Sequence, residues 1–171
     1  MQQLIDRQTA IEVDKQAFPP LSIFAEATTT NGTHLLPFKR GAFQGMRTVT
    51  PSFFQITNTG QIAPTYEVPD LKALLILLLS SLCIRVGTLV IMPEFTPTPD
   101  MLKLHGDKGI APWEIYAWCV RDAISKQSGI KTLDEKLALA DKLEFIKLMN
   151  GEVDSAVVNG HRFSYKGDKP V

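Results

Sequence analysis

Apolar and polar positions along the chain divide it into short blocks rather than long periodic stretches. Leu21 to Phe24 is an apolar run fenced upstream by Pro19-Pro20, which predicts a short buried strand. Thr48 to Ile56 alternates loosely through Val49, Phe53 and Ile56. It predicts a strand that holds Pro51 at an edge, a bulge or its start. Thr57 to Pro69 reads as loop. Asp70 to Cys83 is the greasiest part of the chain, with Leu74 to Leu79 unbroken aliphatic and Asp70 as candidate N-cap. A helix there would be apolar on every side and would need cover from protein or lipid. Its length, about 21 Å, falls short of a bilayer core. A buried or interfacial helix is therefore expected ahead of a span. Val86 to Met92 predicts a β-branched strand.

The second half is more regular. Pro93 to Pro112 holds four prolines and two glycines and predicts a long loop, with one helical turn at Met101 to His105. Trp113 to Gln127 predicts a helix begun by Pro112 and ended by Gly129, with Tyr116, Cys119, Val120 and Ala123 on one face. Thr132 with Glu135 forms a capping-box pattern for a further helix. Leu139, Leu143, Ile146 and Met149 are its expected inner stripe, and Asn150-Gly151 its stop. At the other end of the chain, Leu4 to Arg7 suggests a strand end, and Thr9 to Ala17 a helix with Ile11 inward. Ala156-Val157-Val158, Asn159-Gly160 and His161 to Tyr165 give a hairpin signal. Such a hairpin needs something to cover Val157, Phe163 or Tyr165.

Composition narrows this little. The chain has 171 residues, enough for one domain with a core. Lys and Arg total 18 and Asp and Glu total 18, so no global charge favours nucleic acid, and no nucleic-acid partner is expected. Cys83 and Cys119 lie in apolar segments and fit buried free thiols. His34, His105 and His161 are far apart, with no partner at metal-ligand spacing, so no metal is expected. Met1 to Gln8 lacks the apolar run of a secretory signal.

The chemistry gathers at Phe24 to Gly32. A lone carboxylate, Glu26, follows the predicted strand, and then come Thr28-Thr29-Thr30 and Asn31-Gly32. Strand, carboxylate and hydroxyl loop is one way α/β proteins place polar groups at a sheet's carboxyl edge. The plain alternative is a strand followed by a threonine-rich turn.

Phe24, Glu26, Thr28, Asn31, Phe38, Lys39, Gly41, Ala42 and Phe43 carry a resemblance. They match the third signature block of the glycerolipid acyltransferase superfamily, Phe-Pro-Glu-Gly-Thr continued by Phe-Lys-x-Gly-Ala-Phe. The lysophosphatidylcholine acyltransferase branch is the closest likeness. The chain departs at Ala25, where the pattern has Pro, and at Ala27, where it has Gly. Leu4 to Arg7 resembles the second block, which ends in arginine, although a surface arginine would look the same. Val49-Thr50-Pro51 resembles the fourth block, Val-x-Pro. The order of elements extends the likeness over about residues 4 to 149.

The resemblance implies a fold, a role and a deficit. The fold would be α/β: a truncated acyltransferase-like domain over 1–150, with a partial mixed sheet and flanking helices, then a hairpin-containing tail over 151–171. Glu26, Thr28, Arg7 and Lys39 would be acceptor- and phosphate-binding residues. The family's His-x-x-x-x-Asp pair, which deprotonates the acceptor hydroxyl, is absent. The residues five positions after His34, His105 and His161 are Lys39, Ile110 and Lys166. Loss of a general base removes a factor of about 10²–10⁴. Loss of positioning removes more.

The leading expectation is a degenerate, non-catalytic acyltransferase-like protein. It would serve as a structural or lipid-contacting subunit of a larger membrane-bound assembly, intracellular, with other subunits and membrane lipid or lysophospholipid as partners. No cofactor is expected, and acyl-CoA would be a co-substrate only if the protein is active. The alternatives are an active lysophospholipid acyltransferase whose His-x-x-x-x-Asp half lies on another chain or precedes this one, and a soluble α/β binding domain.

Overall fold

A computed structural model describes residues 2–14, 19–28, 30, 32–58, 75, 85–106, 110–133, 139–158 and 160–164. Four helices, α1 (Gln2–Val13), α2 (Pro99–His105), α3 (Pro112–Ser128) and α4 (Leu139–Met149), accompany six strands in these residues. The strands are β1 (His34–Leu35), β2 (Ser52–Asn58), β3 (Arg85–Ile91), β4 (Lys131–Thr132), β5 (Ser155–Val158) and β6 (His161–Ser164). Parallel and antiparallel pairing both occur, as expected of a mixed α/β chain, but in three separate two-stranded sheets: β1–β4, β2–β3 and β5–β6.

Helix α3 is the element on which α2, β2, β4 and the 3-10 turn Arg40–Ala42 pack. Ala111 is its extended N-cap, Pro112 opens it, and the Glu114 side chain reaches back to accept from the Ala111 amide at 3.1 Å. Gly129, at φ +75°, closes it, and its amide donates to the Ser125 carbonyl at 2.9 Å. Ile115, Tyr116, Ala117, Val120, Arg121 and Ile124 are buried. Tyr116, Ala117, Val120 and Ile124 form one cluster with Leu35, Ala42 and Phe43. Phe43 meets Tyr116 edge-on at 5.3 Å and Phe38 in a stack at 5.9 Å. The Tyr116 hydroxyl lies 2.7 Å from the Phe95 carbonyl and 2.9 Å from that of Arg47, so it joins two loops to the helix. Burial is the main reason its pKa is pushed up to about 12.

Helix α1 lies along residues 41–48. Leu4 approaches Gly41, and the Gln8 side chain donates to the Ala42 carbonyl at 3.2 Å. Glu12 accepts from the Arg47 guanidinium at 2.8 Å and from the Thr48 amide at 3.2 Å. Leu4 to Arg7 is thus helix rather than strand, because its side chains find their neighbours at helical spacing, Leu4 on Gly41 and Gln8 on Ala42. The helix begins well before the predicted Thr9.

Other expectations fare unevenly. Leu21 to Phe24 is not a buried strand. Among the described residues no strand pairs with it, Leu21 is exposed, and Phe24 is 83% exposed. Pro51 is buried immediately before β2, which fixes the strand start. Thr57 belongs to β2 rather than to the following loop. Strand β3 falls where predicted. Helix α2 is longer than one turn, capped by Thr98 Oγ1, which accepts from the Met101 amide at 3.3 Å. The predicted helix at Asp70 to Cys83 lies outside the described residues apart from Leu75, which is helical and exposed.

Thr132 pairs in β4 instead of capping a helix, and Glu135 lies outside the described residues. Leu143 and Met149 are exposed, while Leu148 is buried. The inner face of α4 is rotated because the hairpin docks on it: Phe163 of β6 meets Phe145 edge-on at 5.9 Å. The hairpin thereby gains its cover, with Ala156 buried and Val157 left exposed. Gly160, at φ +79°, supplies the left-handed turn residue. Gly151, at φ +71°, ends α4 with paired bonds from its own amide to Leu148 and from the Glu152 amide to Lys147, the Schellman arrangement. Cys119 is half-buried and in no disulfide, and Cys83 lies outside the described residues.

Candidate functional site

The loop that follows Phe24 is held in shape by three bonds. The Ala27 amide donates to the Phe24 carbonyl at 3.1 Å, closing a tight turn. The Lys39 amide donates to the Ala25 carbonyl at 2.7 Å, drawing the far end of the loop back to its start. The Glu26 carboxylate accepts from the Leu36 amide at 2.7 Å. Glu26 is therefore a structural anchor of the loop as well as its charge.

Ala27 has φ +56°, the left-handed region that glycine enters freely and alanine does not. The acyltransferase pattern has glycine here. The backbone shape that glycine serves is present although the glycine is not. Gly32, at φ +75°, supplies a second left-handed position before β1.

Burial raises the Glu26 pKa above its ordinary value. The Leu36 amide and, after it, the positive charge of Arg121 act in the opposite direction. Arg121 stands on the buried face of α3 and is only 4% exposed. On the next residue but one of the loop, Thr28 Oγ1 accepts from Lys142 Nζ of α4 at 3.0 Å. A carboxylate and a hydroxyl two residues apart thus each have a cation supplied from the second half of the chain.

The four expected site residues stand on three segments of the chain. Glu26 and Thr28 share the loop. Lys39 is the extended residue before the 3-10 turn Arg40–Ala42, where its backbone, not its ammonium, closes the loop. Arg7 stands half-buried on α1, on an element whose bonds run to residues 42–48. The residues missed by sequence reasoning are Arg121 and Lys142. Arg121 had one sequence-level signal, a charge on the stripe of α3 that is otherwise Tyr116, Val120 and Ile124. Lys142 had none. His34, at the start of β1, lies 3.0 Å from Thr33 Oγ1 through Nδ1. Among the described residues no group of three or more His, Cys, Asp or Glu could hold a metal ion. Nor is any helix among them long and apolar enough to cross a membrane.

This is an α/β chain whose loop places a half-buried carboxylate and a threonine beside two cations. Comparison with known proteins gives the direction in which to read it. Over 118 residues, 68% of the chain, it is 31% identical to a lysophosphatidylcholine acyltransferase of Drosophila melanogaster. The chain spans about a fifth of that protein's length, 20%. It therefore carries a region related to an acyltransferase. No family model matches the chain, and no solved structure does.

Proposed function

We infer that the chain holds the acyl-acceptor side of an acyltransferase-related site and does not itself perform the transfer. Its ligand would be a lysophospholipid, and its setting a membrane-associated assembly with other subunits. The observation that carries this reading is the left-handed backbone at Ala27, between an anchored Glu26 and a cation-paired Thr28. A loop that had drifted free of its ancestral role would have little reason to keep alanine in a conformation costing about 1–2 kcal/mol. The chemistry offered is recognition: Thr28 and Lys142 suit a phosphate oxygen, and Glu26 suits an acceptor hydroxyl. The His-x-x-x-x-Asp pair is absent from the sequence, so the step that would remove the hydroxyl proton has no such base in these residues.

The test has two readouts. The chain should bind lysophosphatidylcholine, and Thr28→Val with Lys142→Ala should weaken that binding about tenfold. Alone, with labelled acyl-CoA and lysophosphatidylcholine, it should form no labelled phosphatidylcholine. Turnover abolished by Glu26→Ala would overturn the non-catalytic reading. Absence of lysophospholipid binding would overturn the acceptor reading.

The second reading, an active enzyme whose base is supplied by another polypeptide or by sequence outside these residues, is favoured by the same intact loop. It requires that adding a segment bearing His-x-x-x-x-Asp restores transfer, and that Glu26→Gln then reduces it.

A further inference from the structure

Three hydroxyl residues of the chain are followed directly by proline: Thr50-Pro51, Thr96-Pro97 and Thr98-Pro99. No serine is. The fold brings all three to one surface, although the first is far from the others in sequence. Val49 and Phe95 form an antiparallel bridge, the amide of each donating to the carbonyl of the other at 3.0 and 2.7 Å. Both side chains pack against the buried cluster. Alternation along extended backbone turns their neighbours outward. Thr50, Glu94, Thr96 and Thr98 are exposed. Thr48 Oγ1 and Thr96 Oγ1 meet at 3.1 Å across the bridge. Thr98, two residues on, is extended at φ −110°, ψ 149°. Part of the pattern has a structural use: Pro51 precedes β2, Pro99 opens α2, and Thr98 caps it. Neither duty calls for a hydroxyl at Thr50 or Thr96.

We propose that this surface is a phosphorylation site for a proline-directed protein kinase, with Thr96 and Thr98 as the first acceptors and Thr50 as the third. A kinase cleft that buries the position after the acceptor, and offers its amide no partner, selects proline, which has no N–H to leave unpaired. The residue before a proline is held extended, the form in which a chain enters such a cleft. Thr96 and Thr98 lie just past the bridge. Thr50 lies between the bridge and the bond from the Met92 amide to the Pro51 carbonyl, so it reacts more slowly. In each transfer the γ-phosphoryl group of a nucleoside triphosphate moves to threonine Oγ1. The bond from that phosphorus to the diphosphate breaks, the nucleoside diphosphate leaves, and the hydroxyl proton passes to the kinase's catalytic carboxylate.

The consequence is local loosening. Each phosphate brings a charge of about −1.5 to −2. The surface already carries Glu94, and the guanidinium of Arg47, next to Thr48, is engaged by Glu12 at 2.8 Å. Phosphate on Thr96 displaces its contact with Thr48, and phosphate on Thr50 sits across the bridge segment from Glu94. Repulsion then works against the Val49–Phe95 bridge. The Phe95 carbonyl is one of the two acceptors of the Tyr116 hydroxyl, so the disturbance reaches α3. Glu26 and Thr28 take no part, and the outcome leaves the lysophospholipid reading where it stands.

The experiment incubates the whole chain with a purified proline-directed kinase and γ-labelled ATP, and maps the label by mass spectrometry. Label should appear on Thr96 and Thr98 first and on Thr50 later. Thr48, on the same surface but followed by valine, should stay unlabelled. The combination of Thr50→Val, Thr96→Val and Thr98→Asn, the last chosen to keep a cap on α2, should take up none. In the phosphorylated chain the Val49 and Phe95 amides should exchange hydrogen roughly fivefold faster. As a second measurement, the protein isolated from its own cells under phosphatase inhibition should carry phosphate on at least one of the three. Label chiefly on other hydroxyls overturns the proposal, as does an isolated protein with none of the three modified. So does a rate about a hundredfold or more below that of a peptide of residues 92–102, which would mean that the site is reached only by unfolding. Unchanged exchange at Val49 and Phe95 overturns the loosening.

Discussion

Lys142 Nζ of α4 donates to Thr28 Oγ1 at 3.0 Å, a hydrogen bond across 114 positions of sequence. It fastens the helix that carries the hairpin to the loop that carries Glu26. The bond is partly exposed, so its coupling is modest. Thr28→Val and Lys142→Ala together should destabilise by less than the sum of the separate changes, with an interaction energy of about 0.5–1 kcal/mol. Urea unfolding of the four species of the cycle measures it. Strict additivity would mean that the pair makes no net contribution.

Ala27 gives a prediction of opposite sign. Replacing it with glycine should raise stability, because relief of about 1–2 kcal/mol of left-handed strain outweighs about 0.5–1 kcal/mol of added unfolded-state freedom. A small rise in Tm by calorimetry is the expected outcome. Ala27→Val should lower Tm, since a β-branched side chain is worse at positive φ.

Burial raises the Glu26 pKa, so the native state holds that proton more tightly than the unfolded chain does. The stabilisation this gives is complete below the ordinary glutamate value, 4.5, and is lost as pH rises through the higher folded value. Glu26→Gln keeps an oxygen for the Leu36 amide but does not titrate. The stability of this variant relative to the native chain should therefore increase with pH, starting near 4.5. Paired thermal melts across the acid range read this directly, and a difference independent of pH would refute it.

Tyr116 is 0% exposed and its hydroxyl faces two carbonyl oxygens. Tyr116→Phe leaves both without that donor and should cost about 1–3 kcal/mol. With its pKa pushed up from 10 to about 12, the phenol favours the folded state fully below pH 10. That contribution disappears as pH rises through about 12. Ultraviolet titration should show a late tyrosine ionisation near pH 12, and Tyr116→Phe should remove that step.

What was legible in the sequence was what local chemistry decides. Pro112 and Gly129 bracket α3, Asn159-Gly160 announces the hairpin, and Pro51 marks the start of β2. Whatever depended on distant partners was not legible. Leu21 to Phe24 has the composition of a buried strand, yet no described strand lies beside it. The buried side of α4 was misjudged because Phe163, eighteen residues beyond Phe145, chooses it. Glu26 and Thr28 could be singled out by pattern. Arg121 stood out only as a charge on an apolar stripe and Lys142 not at all, since nothing near either in sequence mentions a carboxylate or a threonine about a hundred positions earlier.

The pairing of β1 with β4, and of Leu35 and Phe43 with Tyr116, Val120 and Ile124, has a consequence for biosynthesis. Leu35, Phe38 and Phe43 cannot complete their cluster until α3 has been made. At about 5–20 residues per second, translation leaves them waiting several seconds or more outside the ribosome, uncovered. Chaperone dependence during synthesis should follow, and it should be greatest for ribosomes paused before Ser128.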